Sequence, residues 1–178
     1  MYDDLQGKSS VITGAGAGIG RATALAFGRA GARVMVSDMD RERGEATVAA
    51  ITEAEGQARF HPCDVSVSSD VEALMAATLD AYGQLDCAFN NAGIEGPGGL
   101  THLYEEALWH KVIAVNLIGV WLCMKYEIPH MLQQGVAYLR LADKYLGPLA
   151  NRLRAIYQPM IRTPNPFFSP RPRPLACF

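Results

Sequence analysis

The chain has 178 residues, of which 49% are apolar and 19% charged, and its formal net charge is -2. This is the composition of a folded globular protein about one domain long, and it excludes a disordered or fibrous chain. A charge so nearly balanced gives no argument for a nucleic acid or a membrane surface as partner.

The four cysteines, Cys63, Cys87, Cys123 and Cys177, form no Cys-x-x-Cys pair. Reduced thiols in the cytoplasm are therefore expected, not a disulfide framework or a metal site. The opening MYDDLQGKSS carries two acids and no apolar core, so no signal peptide is expected. The longest apolar run, Val112 to Met124, includes Asn116. It is shorter than the roughly 20 residues of a membrane span and predicts a buried helix. Charge is unevenly spread: residues 1–135 carry 9 Lys/Arg against 17 Asp/Glu, and residues 136–178 carry 7 against 1. Seven of the ten prolines lie in that last stretch.

In chain order, Ser9–Thr13 reads as a first strand, ending at Gly14. Residues 18–30 place Ile19, Ala22, Leu25 and Ala26 on one helical face, and Gly31 stops that helix. Residues 33–37 form a second strand ending at Asp38, and residues 41–54 a helix closed by Gly56. Residues 58–63 are a third strand, followed by Asp64. Residues 69–82 are a third helix, with Ser69 as its cap and Gly83 as its end. Residues 85–89 are a fourth strand leading into Asn90-Asn91-Ala92-Gly93. A loop at residues 96–99 then precedes one long helix, or a broken pair, over 103–133. Strands alternating with helices predict an α/β fold, a doubly wound parallel sheet with helices on both faces. In such sheets ligands bind outside the carboxyl ends of the strands. The conspicuous polar and glycine clusters at 13–20, Asp38, Asp64 and Asn90–Gly93 all fall at such ends.

The loop TGAGAGIG, Thr13 to Gly20, joins a strand to a helix. Gly14 permits the tight exit from the strand. Gly18 lets the backbone approach a pyrophosphate, and Gly20 lets the helix pack against the sheet. The helix N-terminus adds unpaired N–H groups and a positive dipole end. Asp38 follows at the end of the next strand, where a carboxylate accepts hydrogen bonds from ribose hydroxyls and repels a 2′-phosphate. With no basic residue in the loop, NAD is expected over NADP.

The spacing Thr-Gly-x-x-x-Gly-x-Gly resembles the short-chain dehydrogenase/reductase family. Three further matches lie along the chain: Asp64-Val65, Asn90-Asn91-Ala92-Gly93, and Val115-Asn116 within the long helix. Together they cover residues 7–134. The resemblance implies a Rossmann-like sheet and hydride transfer between a nicotinamide and a small alcohol or carbonyl substrate. It implies that Gly14, Gly18, Ile19 and Gly20 hold the pyrophosphate, Asp38 the adenosine ribose, and Asp64 and Val65 the adenine. It sets Asn90, Ala92 and Gly93 beside the second ribose. Asn116 is the implied member of the catalytic set, holding a water in a proton relay. Taken by itself, Asn116 is an amide in an apolar helix, which must find partners or cost about 1–3 kcal/mol. A core Asn satisfying a helix carbonyl is the plainer reading. Family members also pair their long helices, which leaves a homo-oligomer open.

The resemblance then breaks. The family's general acid/base is a Tyr with a Lys four residues later, assisted by a Ser. Four residues before Lys8, Lys111, Lys125 and Lys144 stand Asp4, Ala107, Trp121 and Arg140, so the chain holds no Tyr-x-x-x-Lys. The fifth strand with its Ser, expected after Gln134, is also missing. Residues 135–164 resemble an altered remnant of the catalytic half, in which Ile161-Arg162-Thr163-Pro164 is similar to the loop that contacts the nicotinamide amide. Residues 165–178 read as a disordered Pro/Arg-rich tail. Loss of strands predicts exposed apolar helix faces at Trp121 and Leu122. The expectation is a family member with impaired catalysis. A non-catalytic dinucleotide-binding module, or a truncated product without function, is the alternative.

Overall fold

The computed structural model describes residues 5–96 and 98–134. All belong to one compact unit, Met1–Gly135. Strands and helices alternate as β1 (Ser9–Thr13), α1 (Gly18–Arg29), β2 (Arg33–Asp38), α2 (Arg41–Glu53), β3 (Gln57–Pro62), α3 (Ser68–Tyr82) and β4 (Cys87–Phe89). A turn of 3₁₀ helix at Thr101–Leu103 precedes the long α4, Glu106–Gln133. The strands form one parallel sheet in the order β3-β2-β1-β4. This is the doubly wound, Rossmann-like arrangement. The chain works outward from β1 through β2 to β3, then returns to the far side of β1 for β4. The return opens a crevice at the carboxyl ends of β1 and β4, the place where such sheets bind ligands.

Both faces of the sheet are covered, so β1 is buried along its whole length and β2 is buried from Val34 to Ser37, with Val11, Ile12, Val34, Met35 and Val36 supplying the apolar centre. Side chains of a strand alternate between faces. Val11 and Met35 join one core with Val71 and Leu74 of α3 and Leu122 and Cys123 of α4. Ile12, Val34 and Val36 join the other core with Ala24 of α1 and Ile51 of α2. At the amino end of β4, Asp86 accepts from Lys8 Nζ at 3.1 Å, from the Ser9 N–H at 2.9 Å and from Gln84 Nε2 at 2.6 Å. Burial alone would raise its pKa, but these bonds outweigh it and hold the carboxyl below the ordinary value.

Several local expectations change. Ser69 does not cap α3, which begins at Ser68 after Val67 with no side-chain cap. The turn is held instead by Asp64, whose Oδ1 accepts from the N–H and hydroxyl of Ser66, and by Asp70, whose Oδ2 accepts from the Asp64 N–H. Strand β4 is shorter than residues 85–89. The long helix is continuous, with a π-helical segment at Ala114–Gly119, but the run from Val112 to Met124 is not a buried helix. Leu117, Ile118 and Trp121 are exposed, whereas Val115, Leu122, Cys123 and Met124 are buried. Trp121 is thus exposed as expected, and Leu122 is not. By length and composition α4 is apolar enough to cross a membrane. Counting only uninterrupted apolar residues hid that property. Its inner face nevertheless lies in the core shared with α3 and the sheet.

The end of α2 also differs. Glu55, not Gly56, takes the left-handed conformation, with φ of 62°. Gly56 is required for space, because a Cβ there would lie 2.7 Å from Ile51 Cγ2. A left-handed backbone crowds any Cβ, so Glu55→Gly is expected to raise stability by up to about 1 kcal/mol in chemical denaturation.

Candidate functional site

The crevice is built by a latch between β1 and the segment after β4. The Thr13 hydroxyl oxygen accepts from the N–H groups of Asn91 and Ala92, each at 3.1 Å. In return Asn91 Nδ2 donates to the carbonyl of Thr13 at 3.1 Å and that of Gly14 at 3.3 Å. This explains two glycines. Gly14 has φ of 63°, and a Cβ on it would sit 2.9 Å from Ala92 Cα. A Cβ on Gly20 would collide with the Gly14 carbonyl and the Asn91 amide. Gly20 therefore makes room for the latch itself, where the sequence suggested packing of helix on sheet. Gly18 differs: its φ is 53° and nothing stands within 4 Å of where its Cβ would be. The first turn of α1 thus meets open space, with Ile19 72% exposed beside it.

Asp38 closes the neighbouring side. Its Oδ2 accepts from the Gly16 N–H at 2.8 Å and its Oδ1 from the Asp40 N–H at 2.9 Å. The carboxylate is oriented by backbone, and each oxygen retains a lone pair for another donor. Sequence reasoning missed Gly16, where a Cβ would lie 2.9 Å from both Asp38 Oδ2 and Arg43 Cβ. Arg43 itself is paired with Asp40 at 3.2 Å. Beyond Asp38, a cleft of about 400 Å³ is lined by Met39, His61, Pro62, Cys63, Asp64, Asp70 and Ala73. Asp64 is therefore at the cleft, but Val65 is only 4% exposed and packs on Gly119 of α4. Val65 does not line the cleft. Burial, with Asp70 and Asp64 nearby, pushes the Cys63 thiol up to about 12, so it stays neutral.

The segment from Asn90 to Ile94 is gripped from α4 as well. Asn116 is exposed, contrary to the expectation of a buried amide. Its Oδ1 accepts from the Ile94 N–H and its Nδ2 donates to the Ile94 carbonyl, both at 2.9 Å. Its partner is thus the backbone of another segment, not a helix carbonyl, and it lies in the π-helical stretch of α4. Gly93 passes close by, 3.3 Å from Asn116 Oδ1 to where its Cβ would be. Asn90 donates from Nδ2 to Glu127 Oε2 at 2.9 Å. Glu127 is 3% exposed, and neither its Oε1 nor Asn90 Oδ1 has a hydrogen-bond partner. Burial drives the Glu127 carboxyl up to about 7, against an ordinary 4.5, and the Asn90 bond only partly offsets this. No sequence pattern marked Glu127; the one clue is an acid one turn beyond an apolar run.

The structure thus brings Gly14, Gly18, Ile19, Gly20, Asp38, Asn90, Ala92 and Gly93 to the carboxyl ends of β1, β2 and β4, with Asp64 after β3. Asn116 reaches the same crevice through Ile94. Thr163 lies outside the described residues, as do the whole stretches 135–164 and 165–178 read above as a remnant of the catalytic half and a tail. Among the described residues no group of His, Cys, Asp or Glu is arranged to hold a metal ion.

Two predictions follow from the latch and the buried acid. Asn91→Ala leaves two carbonyls short of a donor and is expected to lower stability by about 1–3 kcal/mol in denaturant titration. For Glu127 the folded-state pKa lies above the unfolded one. Its contribution is therefore complete below pH 4.5 and lost as pH rises through 7. The loss is on the order of 3 kcal/mol. Melting curves of Glu127→Gln should gain on the unsubstituted chain across that window and then run parallel to it.

A family model described as short chain dehydrogenase matches residues 8–138. An uncharacterized oxidoreductase of Bacillus subtilis, YxbG, is 46% identical over 131 residues, 74% of this chain and 48% of the relative. Among solved structures, an NAD+-bound xylitol dehydrogenase superposes with a TM-score of 0.73 at 31% identity, over 75% of this chain and 51% of the other. A metagenomic short-chain oxidoreductase in complex with NADP gives 0.77 at 32% identity, over 88% and 78%. The chain spans about half the length of the curated relatives it matches. With its glycine loop, its latch and this likeness, the chain belongs to the short-chain dehydrogenase/reductase family.

Proposed function

We propose that the crevice binds NAD(H), and that this chain by itself transfers hydride to or from an alcohol or carbonyl weakly or not at all. The observation that carries the first half is the glycine loop. Gly18 leaves open space at the N-terminus of α1, where backbone N–H groups and the helix dipole favour a pyrophosphate. Gly14, Ile19 and Gly20 shape that turn. Asp38 is the acceptor for the adenosine ribose. Asp64 lines the adenine end, and Asn90, Ala92 and Gly93 lie along the second ribose.

The preference for NAD over NADP rests on Asp38. Gly16 and Asp40 lock its charge at the end of β2. A 2′-phosphate placed there would meet a like charge. Arg43, the nearby cation, is already engaged by Asp40. Solved relatives hold NAD+ in one case and NADP in another, so the choice belongs to residues such as these and not to the fold.

When bound, the nicotinamide supplies the carbon that gives or takes the hydride. The chain's own task is to bind and orient that cofactor and to manage a proton at the substrate oxygen. The second part is where it falls short. No Tyr-x-x-x-Lys exists in the 178 residues, and the Asn116 amide is occupied in holding Ile94. The substrate class is a small alcohol or carbonyl compound. The buried thiols of Cys63, Cys87 and Cys123 fit a cytoplasmic location. Trp109, Leu117, Ile118 and Trp121 are exposed on α4, and helix pairing that covers them would build a homo-oligomer.

Thermal melts test the binding. NADH at a hundredfold excess over its dissociation constant should stabilise the chain by about 2.7 kcal/mol, NADPH by less, and Gly14→Asp should abolish both effects. A melt that ignores NADH overturns the proposal. Alcohol-dependent reduction of NAD is expected not to exceed the Gly14→Asp background. A rate well above that background would overturn the second half alone.

A further inference from the structure

Among the described residues, Glu127 is a buried acid that the folding of the sheet does not call for. It sits on the inner face of α4, 3% exposed, with one hydrogen bond to Asn90 Nδ2 at 2.9 Å and an unpartnered Oε1. Asp86, by contrast, is also shielded from water but accepts from Lys8, from both the N–H and the hydroxyl of Ser9, and from Gln84. A buried acid with a single partner destabilises a fold compared with an apolar side chain of similar size. Leu122, Cys123 and Met124, the neighbouring buried residues of the same helix, are apolar. Packing therefore gives no reason for a carboxyl at this position.

What the carboxyl touches does give one. Asn90 opens the segment that lines the crevice beside β1. Three clamps fix that segment, each a side chain reaching it from elsewhere in the chain. Thr13 holds the backbone of Asn91 and Ala92. Asn116 holds the backbone of Ile94 on both its N–H and its carbonyl. Glu127 holds the side chain of Asn90. The first two clamps act on backbone at the middle and end of the segment, and the third acts on the side chain of its first residue, just beyond the sheet pairing of Phe89.

We propose that Glu127 is a positioning residue for dinucleotide binding, fixing Asn90 from beneath so that the segment 90–94 presents its crevice surface in one shape. The proposal rests on the reading of the crevice as an NAD(H) site. Burial that favours the neutral carboxyl does not weaken the clamp, because the acid's carbonyl oxygen still accepts from the Asn90 amide. Glu127 acts through Asn90 and is placed in contact with neither substrate nor cofactor.

The test compares NADH with AMP as ligands of the full chain. AMP carries only the adenosine end, which lies toward Asp38 and Asp64, and leaves the segment at Asn90 untouched. Glu127→Leu keeps the bulk, removes the buried acid and so folds without an unpaired charge. It is expected to weaken NADH by roughly five- to tenfold and to leave AMP unchanged. Glu127→Gln keeps the accepting oxygen and should hold NADH affinity to within about twofold. In an Asn90→Ala background, Glu127→Leu should have no further effect on NADH, since the two residues then act as one unit. Unchanged NADH binding by Glu127→Leu overturns the proposal. So does equal weakening of NADH and AMP, which would mean a general loss of folded protein, and so does full additivity with Asn90→Ala. If the unsubstituted chain binds AMP and not NADH, or neither, the dinucleotide reading itself fails and the positioning role falls with it.

Discussion

The hydroxyl of Thr13 accepts two backbone N–H groups from the segment after β4, and the rest of the crevice depends on that pair of bonds. β1 and β4 are sequence-distant neighbours, and a parallel pair can be joined only by a long crossover. The latch fixes their carboxyl ends beside each other. Asn91 completes it from the other side, by donating to the carbonyls of Thr13 and Gly14. Once these groups are in place, Gly14 and Gly20 have no room for a Cβ. The glycine loop therefore has two kinds of glycine. Gly14 and Gly20 accommodate the protein's own polar groups, and Gly18 leaves space for something outside it.

The long helix α4 serves three purposes along one length. Val115, Leu122 and Cys123 complete the core against α3 and the sheet. Asn116 and Glu127 turn polar groups back toward the segment at residues 90–94. Leu117, Ile118 and Trp121 remain exposed. The π-helical stretch at Ala114–Gly119 contains Asn116 and meets Val65 through Gly119. A π-helical insertion shifts the side chains that follow it relative to those before. Eleven residues make close to three whole turns of helix, so Asn116 and Glu127 return to nearly the same face and can both reach that segment. Family membership accounts for the cofactor half of this design and leaves the catalytic half open: the chain covers about half of its curated relatives and carries no Tyr-x-x-x-Lys.

Much of this was legible in the residues alone. Strand and helix periods, the stops at Gly31 and Gly83, the glycine loop and Asp38 are signals carried by residues close together in sequence. They determine a doubly wound sheet with its glycine and polar clusters gathered at the carboxyl ends of the strands. What tertiary structure alone decided involves partners far apart in the chain. Asn91 rather than Asn90 holds the glycine loop, across 77 and 78 residues. Gly16 is required by Asp38, 22 residues on. Asn116 is exposed and bound to Ile94, and Glu127 is buried beneath Asn90, 37 residues away. The physical reason is that propensity and periodicity are local properties of the backbone. The partner of a buried polar group is set by which elements the sheet brings together, and nothing in the spacing of a single segment encodes that.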